Sequence, residues 1–447
     1  MAIRVGMASL GCPKNQVDGE VLLSKLVEAG YELTPNPYEA QVIIVNTCGF
    51  IEDAKKEAID TILELAQLKE EGVLKGLIVT GCLAERYREQ IEESMPEVDA
   101  VVGIGQNGNI VSVVEQVLQG ASQKGYYAEK GCLPLNGNRI LINPPHYAYI
   151  KISEGCNNRC AYCAIPGIRG DMRSRTMEDI MAEAKTLVKN GVKELIVVAQ
   201  DTTRYGEDLY GECRLPQLLE QLCTIEDLAW IRVLYAYPDR ITNELLQVMA
   251  SQEKIVKYLD LPIQHCNGDV LRAMNRPGNR KVLEQCLENI RTMVPGIVIR
   301  TTLMVGFPGE TKEQFEELCD FVSTVKIPRL GCFVFSPEED TPAAQMEGQI
   351  EKEIGESRQE IIMNTQFRIS QEFAQSLVGK TLTVLIDSFD YEREQFVGRT
   401  AFDAPDIDCN VYVTAPAATI GDFMQVTITD LEDFDYIGVA AKEEENQ

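Results

Sequence analysis

Short runs of β-branched and apolar residues alternate with amphipathic helical stretches from residue 3 to about residue 376, and then the helices stop. Few folds satisfy that pattern, because strands joined by helical crossovers pair in parallel and must be covered on both faces. In the first 118 residues, apolar runs at 3–9, 42–46 and 77–80 predict buried parallel strands, with helices over 17–29, 52–69 and 84–93. A second series predicts strands at 149–153, 194–199, 231–235, 258–261, 298–304 and 330–335, separated by helices that include 177–189, 217–223 and 281–293. Six such units make a partial (β/α) barrel, two units short of the full eight. Residues 351–377 read as a long closing helix, and 131–145, rich in Asn, Gly and Pro, as a linker. Beyond Gly379, five alternating stretches at 381–388, 395–401, 409–414, 424–431 and 436–440 predict a small five-stranded antiparallel barrel. The expected class is therefore multidomain α/β, divided as 2–118, 142–374 and 376–442, with a polar, disordered tail over 442–447.

No window approaches 18 unbroken apolar residues, which excludes a helical membrane span. The first residues carry no apolar core of the kind a secretory leader needs, so the chain is expected in the cytoplasm. Fourteen cysteines then need a reason, since a reducing compartment disfavours structural disulfides and clustered thiols read as metal ligands or redox groups. Two histidines, His146 and His265, are too few for a His-rich zinc site or for chemistry built on several imidazoles.

The strongest local signal is Cys156-Asn-Asn-Arg-Cys160-Ala-Tyr-Cys163, placed just after the first strand of the second series. Active sites of (β/α) barrels are built from such loops at the strand C-termini. A 4Fe–4S cube takes a thiolate on each iron, so three close cysteines ligate three irons and leave the fourth open to another ligand. A zinc site completed by a distant fourth cysteine is the alternative. The second set depends on topology: Cys12, Cys48 and Cys82 each follow a strand of the first series, one βα unit apart. Parallel strands end on one edge of their sheet, where open α/β sheets bind ligands, so the three thiols are expected to converge there. Gly11, Gly49 and Gly81 would let the backbone turn tightly around a bulky group. Ordinary buried cysteines are the competing account.

Of the other cysteines, Cys266 beside His265 is the one kept as a candidate, and packing accounts for it as well. Arg169, Arg173 and Arg175 follow the thiol loop and suit either carboxylate recognition or internal ion pairing.

With both thiol sets and the terminal barrel in view, the chain resembles the radical S-adenosylmethionine (SAM) methylthiotransferases over nearly its whole length. The resemblance implies a flavodoxin-like N-terminal part with a second 4Fe–4S cluster on Cys12, Cys48 and Cys82. It implies a radical SAM core whose cluster and SAM are held at Cys156, Cys160, Tyr162 and Cys163, and a C-terminal TRAM barrel. Gln200-Asp201 stands where that superfamily grips the SAM amino group, and the stretch 302–310 where it packs the adenine. Ser9-Leu-Gly-Cys-Pro-Lys-Asn15 and the motif from Ile165 to Arg175 are similar to the branch that modifies the β-carbon of an aspartate in ribosomal protein S-twelve. The tRNA-modifying branch, the alternative, usually has Gly-Cys-Gln-Met-Asn in the first position. The implied reaction uses one SAM as methyl donor to sulfur and a second as the source of a radical that takes hydrogen from the substrate. An external donor must supply the electron, and no acid–base residue has to be named.

Charge bears on the choice of branch. The chain carries 42 Lys and Arg against 69 Asp and Glu. Residues 377–447, the part that meets substrate in the resembled family, hold 4 basic and 15 acidic side chains. Such a surface repels phosphates and attracts a basic protein, so a ribosomal protein is expected as partner and tRNA is not. Asp387, Asp390, Glu392 and Glu394 are expected to contribute to that surface.

Overall fold

The computed structural model describes residues 3–441. The tail 442–447, expected to be disordered, lies outside the described residues, as does residue 2. Six strands open the chain: β1 (Arg4–Ser9), β2 (Glu32–Leu33), β3 (Val42–Thr47), β4 (Gly76–Gly81), β5 (Ala100–Val102) and β6 (Gly125–Tyr126). All pair in parallel, in the order β2-β1-β3-β4-β5-β6. Their near-continuous apolar character follows from burial on both faces. Ile43, Val45, Leu77 and Val79 pack under α2 (Glu52–Glu70) and α3 (Cys82–Ser94). Val42, Ile44 and Ile78 pack under α1 (Pro13–Glu28) and α4 (Ile110–Leu118). This is the flavodoxin-like order, which reverses direction between β1 and β3 and opens a ligand crevice at that point. The strands β2, β5 and β6 are two or three residues long, too short for a periodicity signal. The last of them lies beyond residue 118.

β7 (Tyr147–Lys151) starts the second sheet, and β8 (Ser153–Glu154) pairs with β9 (Arg173–Ser174) in a two-stranded antiparallel ribbon directly after it. β10 (Glu194–Val198), β11 (Trp230–Val233), β12 (Ile255–Asp260), β13 (Val298–Val305) and β14 (Arg329–Val334) follow. The six long strands form one parallel sheet in chain order, β7 to β14, as the partial barrel requires. One face carries Ile150, Val197, Val233 and Leu259 against the helices. The other carries Tyr147, Tyr149, Trp230 and Tyr258 and packs against Val17 of α1 and against Leu385 and Ala404 from the C-terminal part. The closing helix is Lys352–Gln375.

The terminal barrel is closed, in the order β15 (Thr381–Asp390), β16 (Gln395–Thr400), β17 (Val411–Thr414), β19 (Asp435–Ala440), β18 (Phe423–Glu432). The expectation of a purely antiparallel barrel needs one correction, since β17 and β19 run parallel. Geometry requires it: strand direction cannot alternate all the way around a closed ring of five. This barrel docks against the starts of the central strands through buried ion pairs. Arg399, paired within the barrel to Asp387, joins Glu194 of β10 at 2.7 Å, and Arg329 of β14 joins Asp403 at 2.6 Å. Trp230 meets Phe423 edge-on at 4.8 Å. No helix among the described residues is long and apolar enough to cross a membrane.

Candidate metal centres

The loop that carries Cys156, Cys160 and Cys163 is held at both ends by the β8–β9 ribbon. Gly155 begins it at φ +77°, where a side chain would overlap the Asp171 carbonyl. Arg159 also lies in the left-handed region. Backbone bonds pin the rest: the Cys156 amide donates to Gly170 at 3.1 Å and the Ala161 amide to Met274 at 2.9 Å. Asn158 donates its side-chain amide to Asp201 at 2.7 Å and accepts from Arg204 at 3.0 Å. All three thiols are half-buried and meet polar hydrogens. The Asn158 amide lies 3.5 Å from the Cys156 sulfur, and the Tyr237 hydroxyl 3.1 Å from the Cys160 sulfur. Arg276, buried, stacks 3.9 Å from the Tyr237 ring and reaches the Tyr162 hydroxyl at 3.4 Å. Burial pushes the Cys156 thiol up and the Cys163 thiol to about 12. A bound cation that neutralises thiolates reverses that preference.

The second set converges at the sheet's switch point. Cys12 precedes α1 at its N-cap, Cys82 is the first residue of α3, and Cys48 follows β3. The approach is close enough to exclude side chains. A Cβ on Gly11 would stand 2.6 Å from the Cys48 Cβ and 2.9 Å from its sulfur, and one on Gly49 would stand 2.7 Å from the Leu83 backbone. Asn15 and Asn46 sew the loops together, Asn46 donating to the Asn15 carbonyl at 2.8 Å and Asn15 to the Leu10 carbonyl at 2.9 Å. Burial alone would raise all three thiols. Lys14 and Arg169 outweigh it at Cys12, which lies below its ordinary value, while burial keeps Cys48 raised and Cys82 at about 12.

We expect Gly11→Ala to cost the N-terminal set its metal, because both the left-handed backbone and the added methyl displace Cys48. Iron in the reconstituted variant should fall toward about four per chain, the content of one cube. Gly30→Ala has the same φ of +90° and open space around its Cβ, so it should keep full iron and serve as control. Equal iron in both variants would refute the close-approach account.

The arginine run joins the two sets. Arg169 ends the short helix Ile165–Arg169 that starts two residues after Cys163. Its guanidinium donates to the Cys82 sulfur at 3.2 and 3.4 Å, to Asn15 at 3.0 Å, and to the carboxylates of Asp18 and Glu154. Lys151 pairs with the same two carboxylates, and Gln200 donates to the other Glu154 oxygen at 2.7 Å. Arg173 donates to the carbonyls of Lys130, Gly131 and Leu133, and Arg175 to Asn136 and the Lys151 carbonyl. The run is therefore engaged internally. Cys82 also packs on Ala164 and Ile168, next to Cys163. A cavity of about 460 Å³ opens beside Cys160 and Cys163, with Arg86, Arg88 and Lys130 on its wall.

Gln200 and Asp201 lie against the loop as described, Asp201 capping the Thr203 amide at 3.0 Å with its carboxyl raised by burial. In the stretch 302–310, Glu310 folds back onto the Gly306 amide and pairs with Arg358 at 2.9 Å. Cys266 is fully buried in the central core, which favours packing. Sequence reasoning missed Arg276, Tyr237, Lys14 and Tyr235. None stands in a ligand-like spacing, and each meets its partner across the fold.

Among the described residues no three His, Cys, Asp or Glu side chains gather tightly enough for a single metal ion. Ligands at the corners of a four-iron cube stand further apart than those of a single ion. The donor chemistry of both sets suits such a cube, with three unpaired thiols each and polar hydrogens or cations near sulfur, and there is open room beside Cys160 and Cys163.

Comparison with known proteins divides the chain in three. Residues 4–103 match the family described as uncharacterized protein family UPF0004, residues 150–322 the radical SAM superfamily and residues 378–440 the TRAM domain. Curated relatives of the chain carry the name ribosomal protein uS12 methylthiotransferase RimO. That of Desulforamulus reducens is 48% identical over 98% of this chain and 99% of its own. Those of Lachnoclostridium phytofermentans and Clostridium botulinum are 46% and 47% identical, each over 98% of this chain, covering 100% and 98% of their own. Among solved structures, the radical SAM methyltransferase TsrM of Kitasatospora setae aligns with a TM-score of 0.54 at 12% identity, over 77% of each chain. The cobalamin-dependent SAM radical enzyme OxsB aligns at 0.51 and 13% identity, over 82% of this chain and 58% of its own. These two show a shared fold.

Proposed function

The chain belongs to the family of radical SAM methylthiotransferases named RimO, and from that premise we propose that it transfers a methylthio group to the β-carbon of an aspartate in ribosomal protein uS12. The observation that carries the reading is the meeting of two three-thiol sets across one buried arginine, Arg169. The division of labour runs along 2–118, 142–374 and 376–442. In the first part Cys12, Cys48 and Cys82 hold one 4Fe–4S cluster. In the second Cys156, Cys160 and Cys163 would hold another, and with Tyr162 they would also form the site for SAM. When bound, the clusters supply the electron that cleaves SAM and the anchorage for the sulfur that is transferred. The protein's own residues do the placing: the β8–β9 ribbon fixes one set, the glycine contacts fix the other, and Arg169 fixes their separation. The electron comes from an external donor, and the enzyme works in the cytoplasm.

The test is anaerobic reconstitution with iron, sulfide, SAM and reductant, followed by mass analysis of ribosomal protein and of tRNA incubated in parallel. Methylthio-aspartate in the ribosomal protein, with tRNA unchanged, is the expected result. Methylthiolated tRNA with the ribosomal protein untouched would move the chain to the tRNA branch. Replacing Cys12, Cys48 and Cys82 together by Ala should keep SAM cleavage and stop transfer. Fully modified product from that variant would make the N-terminal set structural.

Acidity supports a basic partner, with one revision to the residues involved. Asp387 is held between Arg399 and His146, at 2.7 Å from each, and its carboxyl lies below its ordinary value despite burial because of them. Asp390 accepts the amides of Glu392 and Arg393 in a turn. Neither is free to attract a partner. Glu392, Glu394, Asp430 and Asp433 are exposed. Changing these four to amides should weaken binding of the ribosomal protein. Raising salt from about 50 to about 200 mM should weaken it for the parent protein and much less for the variant. Equal salt sensitivity in the two would remove this surface from recognition.

A further inference from the structure

Lys14 is a cation that this interface leaves without a carboxylate. The neighbouring acids are all taken. Asp18 and Glu154 are shared between Lys151 and Arg169. Asp260 accepts from Arg300 at 3.1 Å and from the Tyr235 amide at 3.0 Å. Among the described residues the Lys14 ammonium makes no ion pair. It rests 3.3 Å from the centroid of the Tyr235 ring, with the side chain buried. Tyr235 holds that ring from a backbone at φ +60°, a region a bulky residue ordinarily avoids. The negative groups the ammonium faces are the Tyr235 ring and the Cys12 sulfur, whose thiol it holds below its ordinary value, and with three donors it keeps capacity for a further anion.

Its position gives the anion a purpose. Lys14 lies two residues after Cys12, and Tyr235 lies two residues before Tyr237, whose hydroxyl stands 3.1 Å from the Cys160 sulfur. The segment Tyr235-Ala236-Tyr237 thus meets Cys160 at one end and, at the other, Lys14, the residue two along from Cys12. We propose that Lys14 receives the side-chain carboxylate of the substrate aspartate. This rests on the aspartate reading above. The carbon to be modified is bonded directly to that carboxyl carbon, so a cation at this junction holds it within reach of both centres. The same contact selects aspartate over asparagine, which offers no charge.

The experiment uses anaerobically reconstituted full-length enzyme and two peptides copied from the substrate loop, one with the target Asp and one with Asn there. Binding is followed by fluorescence anisotropy without reductant, and modification by mass analysis with it. The parent enzyme should prefer the Asp peptide by about tenfold or more. Lys14→Gln should bring the two peptides to about equal affinity by weakening the Asp peptide alone, and Lys14→Arg should restore part of the preference. Lys14→Gln that keeps the preference, or that weakens both peptides alike, overturns the proposal, because a merely structural lysine does not distinguish carboxylate from amide. If the parent enzyme modifies neither peptide nor the ribosomal protein, the functional reading falls first and takes this proposal with it.

Discussion

Replacing Cys156, Cys160 and Cys163 together by Ala is expected to abolish reductive SAM cleavage and to leave about four of about eight irons per chain. The loss should be clean because the loop does not depend on its sulfurs for shape. Its ends are paired through Ser153–Ser174 and Glu154–Arg173, and backbone bonds from Cys156 and Ala161 hold its middle. Circular dichroism and the melting temperature should therefore change little, while 5′-deoxyadenosine formation disappears. SAM cleavage by the triple variant would falsify the assignment of this loop.

The second large effect is expected at Arg169. Arg169→Met removes a buried guanidinium that answers Asp18, Glu154, Asn15 and Cys82, and leaves Lys151 alone against two buried carboxylates. Breaking a buried ion pair from one side costs about 3–5 kcal/mol. Denaturant unfolding should show a loss of that order. Adding Asp18→Asn and Glu154→Gln to the variant should recover part of it, since the uncompensated charges are then gone. Arg159→Met, at an exposed pair with Asp171, should cost no more than about 1 kcal/mol. If Arg169→Met matches Arg159→Met in stability, the buried network does not hold the first part to the second.

The architecture was legible where strands are four residues or longer, because alternation between apolar runs and helical stretches reports burial directly. It failed at β2, β5, β6, β8 and β9, which are too short to carry a period. Both thiol sets were legible for different reasons: Cys156 to Cys163 by spacing, and Cys12, Cys48 and Cys82 by the rule that parallel strands end on one edge. The charge network was not legible. Arg169 meets Asp18 across 151 residues of chain, and no local pattern announces such a partner. Asp387 misled for the same reason. Composition counted it as surface acid, while its partners Arg399 and His146 lie in a neighbouring strand and in a distant segment.

The terminal barrel sits against the first residues of the central strands, whereas both thiol sets lie beyond their last ones. Strands of four to eight residues separate those ends by roughly 13 to 26 Å at about 3.3 Å per residue. The molecule is thus a ruler. On the proposed reading, in which the acidic barrel grips the substrate, a protein can react only if its aspartate projects that far from the gripped surface, on an extended loop or at the far side of a small domain. A basic protein with an aspartate close to its docking face would be held firmly and left unmodified.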